Sequence, residues 1–364
     1  MKASYNGLLK HHLRKSEETM TDHIVWNGFQ RGVNLGGWFS QCDYSEHRMD
    51  TFIVHDDIRR IADWGLDHVR LPVDYNVLLK DDGTWNEAGF QRILNVIRWC
   101  HECGLHIVLD LHKTMGFSFD KGEAQSGFFE NPALQKVFYD LWETLAKRLG
   151  AYHGMLAFEL LNEVTEREYA VAWNRISKEC VSRIRVHAPK VPILLGGYWN
   201  NSIDALEDLP APYDAEIIYN FHCYDPIVFT HQGAPWVEGM NHDFRISVDR
   251  PLAELKEQTQ LFLGKETHEF DELDLVRPLG ADYFIRKFEK AARIARERHV
   301  RLYCGEYGVI DRASPQDIIQ WYRYIHEAFL HYGIGHAAWS YREMDFGIAD
   351  ERMDRVRDQL IRLL

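Results

Sequence analysis

Eight short apolar runs recur along the chain, and nearly all are separated by segments with helical periodicity. Runs of this length, rich in β-branched and aromatic residues, predict buried strands. They are RGVNLGG (31–37), DHVRLP (67–72), LHIVLDLH (105–112), MLAFELLNE (155–163), VPILLGG (191–197), EIIYNFHCY (216–224), VRLYCGEYG (300–308) and GHAAWSY (335–341). Two of the intervening helices have clear ends, because residues 55–65 and residues 86–104 each stop at a glycine.

Eight strand–helix repeats in 364 residues predict one α/β domain, a (β/α)₈ TIM barrel, rather than two domains. A doubly wound open sheet is the alternative, but GVNLGGW after the first strand is not a G-x-G-x-x-G loop. We expect an N-terminal extension over 1–25 and the barrel domain over 26–364. The connection at about 225–299 is too long for an ordinary loop, so it predicts an inserted subdomain beside the cleft.

Polar and indole side chains stand at the carboxyl ends of the predicted strands. In a barrel this end carries the chemistry. A structural role explains any one of them, but it does not explain the set. The candidate site residues are Asn34, Arg70, His112, Asn162, Glu163, Trp199, His222, Tyr224, Glu306 and Trp339.

Glu163 and Glu306 form a pair of carboxylates on facing strand ends, and no metal ligands of plausible type are expected beside them. Such a pair suits cleavage of a glycosidic bond, in which one carboxyl protonates the leaving oxygen and the other attacks the anomeric carbon. The attacking group must be ionised, and Arg70 is expected to hold its pKa down. The proton donor needs a drier or more negative environment. No metal and no cofactor are expected.

The other polar candidates suit the binding of a sugar. His112, His222 and Tyr224 can orient the carboxyl groups and contact hydroxyls. Asn162 is placed to reach the 2-hydroxyl, a contact that strengthens toward an oxocarbenium-like transition state. Trp339 offers a flat platform for a pyranose ring.

Glu159 lies in the same predicted strand as Glu163. Because side chains alternate along a strand, the two glutamates are expected to share the inward face, with Glu159 deeper. An unpaired buried carboxylate is costly, so we expect Glu159 to pair with Arg70 or His68. The same alternation places three other polar residues in this lower layer: His68, Asp110 and Asn220.

These motifs resemble glycoside hydrolase family five, a family of retaining (β/α)₈ enzymes. RGVNLGGW, HVRLP, LDLH, LNE, FHCY, GEYG and AAWSY occur in the family's order, from about Arg31 to Ile348. DHVRLP, FELLN, YNFH, FTHQ and LYCGE are similar to the endoglucanase C type. The resemblance implies Glu163 as acid/base and Glu306 as nucleophile, with the other site residues around them. One departure is Val164, where family members often have proline, and we interpret it as loop variation.

The resemblance implies a retaining endo-β-1,4-glucanase acting on cellulosic chains, mixed-linkage β-glucan or cello-oligosaccharides. β-Mannanase and β-glucosidase activities would use the same residues and are open alternatives. A non-catalytic carbohydrate-binding barrel would typically lack one glutamate of the pair. A metal-dependent isomerase or aldolase would need clustered ligands or a Schiff-base lysine, and the nearest lysine, Lys113, is expected to point away from the axis.

The composition of the chain excludes some classes of partner. The net charge is −13 without a run of Lys or Arg, so neither nucleic acid nor an anionic membrane is an expected partner. Aromatic residues make up 13%, which suggests that some are displayed in a groove. Six cysteines in a chain of this length do not predict a disulfide framework, so free thiols are expected.

The N-terminal twenty residues contain no apolar core of signal-peptide length. No later segment offers the roughly 18 apolar residues of a spanning helix. We therefore expect a cytoplasmic monomer, or a secreted protein if a leader was removed ahead of this chain.

Overall fold

The chain forms a closed barrel of eight parallel strands, ordered β1 to β8, in a computed structural model that describes residues 25–120, 126–264 and 267–364. β8 pairs with β1 and closes the barrel. The prediction of a (β/α)₈ fold is confirmed, and every predicted strand is present. The strands are β1 (Arg31–Asn34), β2 (His68–Asp74), β3 (His106–Lys113), β4 (Leu156–Glu159), β5 (Ile193–Leu195), β6 (Ile217–Cys223), β7 (Arg301–Tyr307) and β8 (Gly335–Ala338).

Helices surround the barrel. The α-helices are Glu46–Thr51, His55–Asp63, Tyr75–Leu78, Glu87–Cys103, Pro132–Leu149, Ala170–His187, Ile227–Thr230, Leu252–Leu263, Ala281–Arg298, Pro315–Tyr332 and Arg357–Ile361. Short 3₁₀ turns are Gly150–Tyr152, Arg167–Tyr169, Ile203–Asp208 and Glu351–Met353. Tyr198–Asn201 also makes a helical turn, but its backbone is left-handed inside.

The sequence signals for helix ends are visible in the structure. The Ser314 hydroxyl accepts a hydrogen bond from the Asp317 backbone N–H, and Pro315 occupies the first helical position. Glu87–Cys103 ends at Gly104, whose φ of 72° is the left-handed conformation that glycine adopts without a steric cost. Local capping chemistry therefore sets where these two helices begin and end.

The barrel interior is layered. Its lower part is apolar and includes Val108, Ala157 and Ile218. Asp110, Glu159 and Asn220 follow two residues later on the same strands and so face the same way, one layer nearer the mouth. A buried polar layer therefore rests on an apolar floor, and the larger core lies between the strands and the helices. This buried polar layer lies beneath the site and supports it.

The connection from β6 to β7 is the long one that the sequence predicts. Its last part, Ala281–Arg298, is an outer helix of the barrel that packs on β6 through Phe221 and Phe288 (ring centroids 5.2 Å apart). The inserted part of the connection, which precedes this outer helix, therefore covers residues 224–280. An ion pair between Lys287 Nζ and Asp225 Oδ2, 3.0 Å long, ties its start to that helix.

All six cysteines are free thiols, as expected. In the part of the chain that the structure describes, no helix combines the length and the apolar character needed to cross a membrane. The predicted extension over 1–25 lies almost wholly outside the described residues.

Candidate active site

The two predicted glutamates meet at the mouth of the barrel. Oxygens of Glu163 and Glu306 and a nitrogen of His222 all lie within 4.8 Å of one another. His222 Nδ1 is 2.8 Å from Glu163 Oε1 and 3.7 Å from Glu306 Oε2. The three residues are almost completely buried. Barrel closure therefore brings together carboxylates that are far apart in the sequence.

Glu306 is held by two donors. Arg70 Nη1 donates to Oε1 at 2.7 Å, and the Tyr224 hydroxyl donates to Oε2 at 2.8 Å. Burial raises the pKa of the Glu306 carboxyl above its ordinary value, and His222 and Arg70 act against this increase. Arg70 therefore acts to lower the pKa of Glu306, as expected, but the loss of hydration outweighs the attraction of the guanidinium and the net change is upward.

Glu163 has weaker partners. His222 Nδ1 contacts Oε1, and the Asn200 amide Nδ2 donates to Oε2 at 2.9 Å. Burial raises the pKa of Glu163, and the hydrogen bond from Asn200 opposes it. Because neither oxygen is bonded to a guanidinium, the environment of Glu163 favours the protonated carboxyl more than that of Glu306 does.

The orientation of Glu163 does not come from strand alternation. β4 ends at Glu159, and Glu163 has a φ of 43°, in the left-handed region. The expectation of one continuous strand over 155–163 is therefore wrong at its end. A strained backbone after the strand, and not the pleat, sets the direction of the Glu163 side chain.

The surroundings of His222 favour a neutral imidazole, because burial lowers its pKa to about 4. Its Nε2 lies 3.3 Å from the Asn201 amide nitrogen and accepts a hydrogen bond from it, which leaves the proton on Nδ1. This proton points to Glu163, so His222 donates to that carboxylate.

Below the glutamates, Arg70 is paired as predicted. Its Nε and Nη2 donate to the two oxygens of Glu159 at 2.7 and 2.9 Å, and both side chains are fully buried. Asn220 Nδ2 also donates to Glu159, at 2.8 Å. The prediction that Glu159 is buried and paired with Arg70 is confirmed. His68, the other candidate, contacts Asp67 and Tyr303 instead.

Asp110 is the second carboxyl of this layer. Its Oδ2 lies 3.0 Å from Arg70 Nη2 and 2.6 Å from His112 Nδ1. Burial raises the pKa of Asp110 to about 7, against the attraction of Arg70. Asp110 therefore orients His112 from below.

Several buried polar atoms at the site have no hydrogen-bond partner among the described residues, and His112 Nε2 and Asn162 Nδ2 are two of them. Asn162 Oδ1 accepts from Arg70 Nη2 at 2.8 Å, so the amide nitrogen is the free end. Buried polar groups are normally satisfied, and unsatisfied ones at a mouth suit a polar ligand. Sugar hydroxyls match both atoms.

Asn34 differs from the prediction that it binds substrate. Its oxygen accepts from Arg70 at 2.9 Å, and its nitrogen donates to the carbonyls of Gly305, Ala337 and Ala338. The side chain is fully buried. Asn34 therefore holds β1, β7 and β8 around Arg70. Its side chain has no polar atom left to bind a ligand.

The two predicted tryptophans occupy different positions. Trp339 is 7% exposed and stacks on His112, with ring centroids 5.7 Å apart and planes 5° apart. A Cβ at Gly36 would come within 2.9 Å of this indole, so only glycine leaves room for it. Trp199 is 48% exposed at the end of β5.

Sequence reasoning missed Asn200, Asn201 and the exposed Trp236. Both asparagines contact the site through Glu163 and His222. The run Trp-Asn-Asn directly after a predicted strand was an available signal, because asparagine is enriched in left-handed backbone.

Other chemistries find less support. Glu163, His222 and Glu306 could geometrically hold a metal ion, so the expectation of no such grouping is wrong. The carboxylate oxygens of the two glutamates, however, already accept hydrogen bonds from Arg70, Tyr224 and Asn200. Lys113 Nζ lies 3.0 Å from the Tyr44 hydroxyl and 3.6 Å from Asp74, as a packed ion pair.

A (β/α)₈ barrel with two buried carboxylates facing each other at its mouth defines a glycoside hydrolase. The chain belongs to the cellulase family, glycosyl hydrolase family 5, whose profile matches residues 29–345. The resemblance seen in the motifs is thereby confirmed.

Known proteins agree with this assignment. Cellodextrinase A of Ruminococcus flavefaciens is 46% identical over 307 residues, which are 84% of this chain and 84% of that protein. Endoglucanase C of Acetivibrio thermocellus is 37% identical over 341 residues, or 92% of this chain and 98% of that protein. Cel5A of Thermotoga maritima, solved with cellobiose, has a TM-score of 0.72 and 22% identity, covering 94% of this chain and 99% of its own. It shares the fold.

Proposed function

We propose that this protein is a retaining endo-β-1,4-glucanase that hydrolyses β-1,4-glucans and cello-oligosaccharides. The observation that carries the proposal is the short separation of the two carboxylates, whose nearest oxygens lie within 4.8 Å. Retaining glycosidases have carboxyl groups about 5–5.5 Å apart, whereas inverting enzymes leave about 6.5–9.5 Å for a water. The spacing supports double displacement.

In the first step, the Glu306 carboxylate attacks the anomeric carbon, and Glu163 protonates the leaving oxygen. Arg70 and Tyr224 hold one oxygen each of Glu306, which orients the attack. The glycosidic bond breaks as an ester to Glu306 forms. The proton donor is Glu163, because no cation is bonded to its carboxyl.

In the second step, Glu163 is a carboxylate and takes a proton from water. The resulting hydroxide attacks the anomeric carbon, and the ester bond to Glu306 breaks. The product keeps the configuration of the substrate, and Glu163 is protonated again. His222 donates to Glu163 between the two steps.

The substrate class follows from the surfaces around this pair. Trp199 offers an exposed flat apolar face, Trp339 offers only the small exposed part of its indole, and the free polar atoms of His112 and Asn162 suit hydroxyls. The names of the two curated relatives, a cellodextrinase and an endoglucanase, favour glucan over mannan. β-Mannanase is the alternative, since it would use the same carboxylates.

The test is hydrolysis of a panel of cellulosic, mixed-linkage and mannan substrates, with product sizing and NMR of the anomer formed first. We expect glucan cleavage to β-anomers, and Glu306→Gln to lower turnover on the order of 10³-fold or more while binding persists. Glu179→Gln, an exposed carboxylate paired with Arg183, is the control. Wild-type turnover in Glu306→Gln would contradict the proposal, and so would loss of activity in excess chelator.

We also propose that the enzyme acts as a monomer without nucleic-acid or membrane partners. The acidic net charge of −13 supports this. The cytoplasmic location stays a prediction.

A further inference from the structure

Three consecutive residues after β5 have left-handed backbone. The φ angles of Trp199, Asn200 and Asn201 are 50°, 56° and 56°. None of them is glycine, and such conformations persist only where the surroundings enforce them, often at functional sites. The turn is therefore a strained element beside the catalytic pair.

This turn is attached to the loop of Glu163 itself. The backbone N–H groups of Trp199 and Asn200 donate to the carbonyls of Thr165 and Val164, each at 3.1 Å. These carbonyls directly follow Glu163 in the chain. The turn and the glutamate are thus held as one unit.

The side chains of the turn hold the same carboxylate from two sides. Asn200 Nδ2 donates to Glu163 Oε2 at 2.9 Å. Asn201 Nδ2 lies 3.3 Å from His222 Nε2, and His222 Nδ1 lies 2.8 Å from Glu163 Oε1. Each oxygen of Glu163 has one fixed donor.

We propose that Asn200 is a positioning residue that controls when Glu163 gives up and regains its proton. The inference rests on the proposed function, because it assigns a role to Glu163 as acid/base. An amide N–H on Oε2 favours the ionised carboxyl. It thereby stabilises Glu163 after proton delivery, in the state that activates water.

Asparagine is suited to this position for two reasons. It tolerates the left-handed backbone better than most residues, and its short amide reaches the carboxylate. Glycine would satisfy the backbone and lose the donor. The charged and titratable groups around Glu163 are His112, His222, Arg70, Asp110, Tyr224 and Glu306, and the tests below leave all of them in place.

The experiment is the pH profile of kcat/KM for Asn200→Gly, which keeps the backbone geometry. Without the amide, Glu163 holds its proton more tightly, so the alkaline limb moves up by about 0.5–1 pH unit. Asn200→Asp, nearly isosteric, places a second carboxylate there and should move the limb at least as far upward. Cello-oligosaccharides should lose more kcat/KM than aryl cellobiosides, whose good leaving groups need less protonation.

Glu272→Gly is the matched control, because Glu272 is exposed and also left-handed, with a φ of 61°. It should leave the profile unchanged. An unmoved alkaline limb in both Asn200 variants, with wild-type enzyme active on glucan, would overturn this inference and leave the proposed function standing. A wild-type enzyme inactive on every glycan would instead overturn the proposed function.

Discussion

Arg70 connects the two layers of the site through a single side chain. Its fork of N–H groups reaches Glu159 below and Glu306 at the mouth. It also donates to the amide oxygens of Asn34 and Asn162. A lysine, with three donors on one nitrogen, could not make this set of contacts. The lower layer therefore fixes the position of the carboxylate above it.

Glu159→Gln tests this connection at the scale of a residue. The variant removes the charge that anchors Arg70, so the guanidinium shifts and Glu306 loses its orientation. We expect kcat to fall on the order of 10- to 100-fold with little change in KM, and the free energy of unfolding to fall by about 1–3 kcal/mol. Steady-state kinetics and denaturant unfolding measure both.

The control for Glu159→Gln is Glu179→Gln, which breaks a carboxylate–guanidinium pair of the same 2.7 Å length at the surface. An exposed ion pair contributes about 0–1 kcal/mol to the free energy of unfolding, so both kcat and the free energy of unfolding should stay near the wild-type values. A wild-type kcat for Glu159→Gln would show that the lower layer does not position the site.

At the scale of an element, the segment 224–280 forms part of the rim of the mouth. Ala234 packs in one apolar cluster with Trp339, and His231 lies between Tyr224 and Trp236, at 5.1 and 6.3 Å between ring centroids. Trp236 itself is 51% exposed. An exposed indole beside a cleft is suited to stack on a sugar farther along the chain of the substrate.

Trp236→Ala should therefore raise KM for long glucans by about 2- to 10-fold, the loss of one aromatic contact. Turnover of a short aryl cellobioside should stay unchanged, because the reacting groups are untouched. The matched control is Leu261→Ala, an exposed residue of helix Leu252–Leu263 in the same segment. If Trp236→Ala had the same KM for long glucans as wild type, Trp236 would not be a platform for the substrate.

At the scale of the whole molecule, buried neutral histidines link stability to pH. His336 in β8 stacks on Phe329 at 4.0 Å, and its Nδ1–H donates to the Ile334 carbonyl. Burial lowers the pKa of His336 to about 3. Below the ordinary histidine pKa the unfolded chain binds a proton that the folded chain excludes, so stability falls as pH falls.

His336→Phe tests this linkage. Between about pH 6 and pH 4, wild type should lose about 1.4 kcal/mol of unfolding free energy per pH unit more than the variant. The lost hydrogen bond lowers stability at every pH and leaves this slope difference intact. Urea unfolding across pH measures it, and the two curves should run parallel between about pH 7 and 8. If the unfolding free energies of wild type and His336→Phe had equal slopes at acid pH, His336 would not link stability to pH.

The strands and most site residues could be predicted from the sequence, because periodicity and capping act between neighbours in the chain. The same local rule placed Glu159 and Asp110 beneath the mouth and left Arg70 and His68 as possible partners of Glu159, and the structure shows that the partner is Arg70. Membership of the family followed from motif order. These properties need only short-range information and the parity of a pleated strand.

Several features of the site were decided only by the tertiary structure. The left-handed backbone at Glu163, the donors Asn200 and Asn201, and the internal use of Asn34 depend on contacts across the barrel. The upward pKa of Glu306 depends on burial, which exists only after closure. Sequence by itself determined which side chains within the regular strands face the axis. Strand stagger and desolvation, which act between distant residues, determined which of them touch and what charge each one favours.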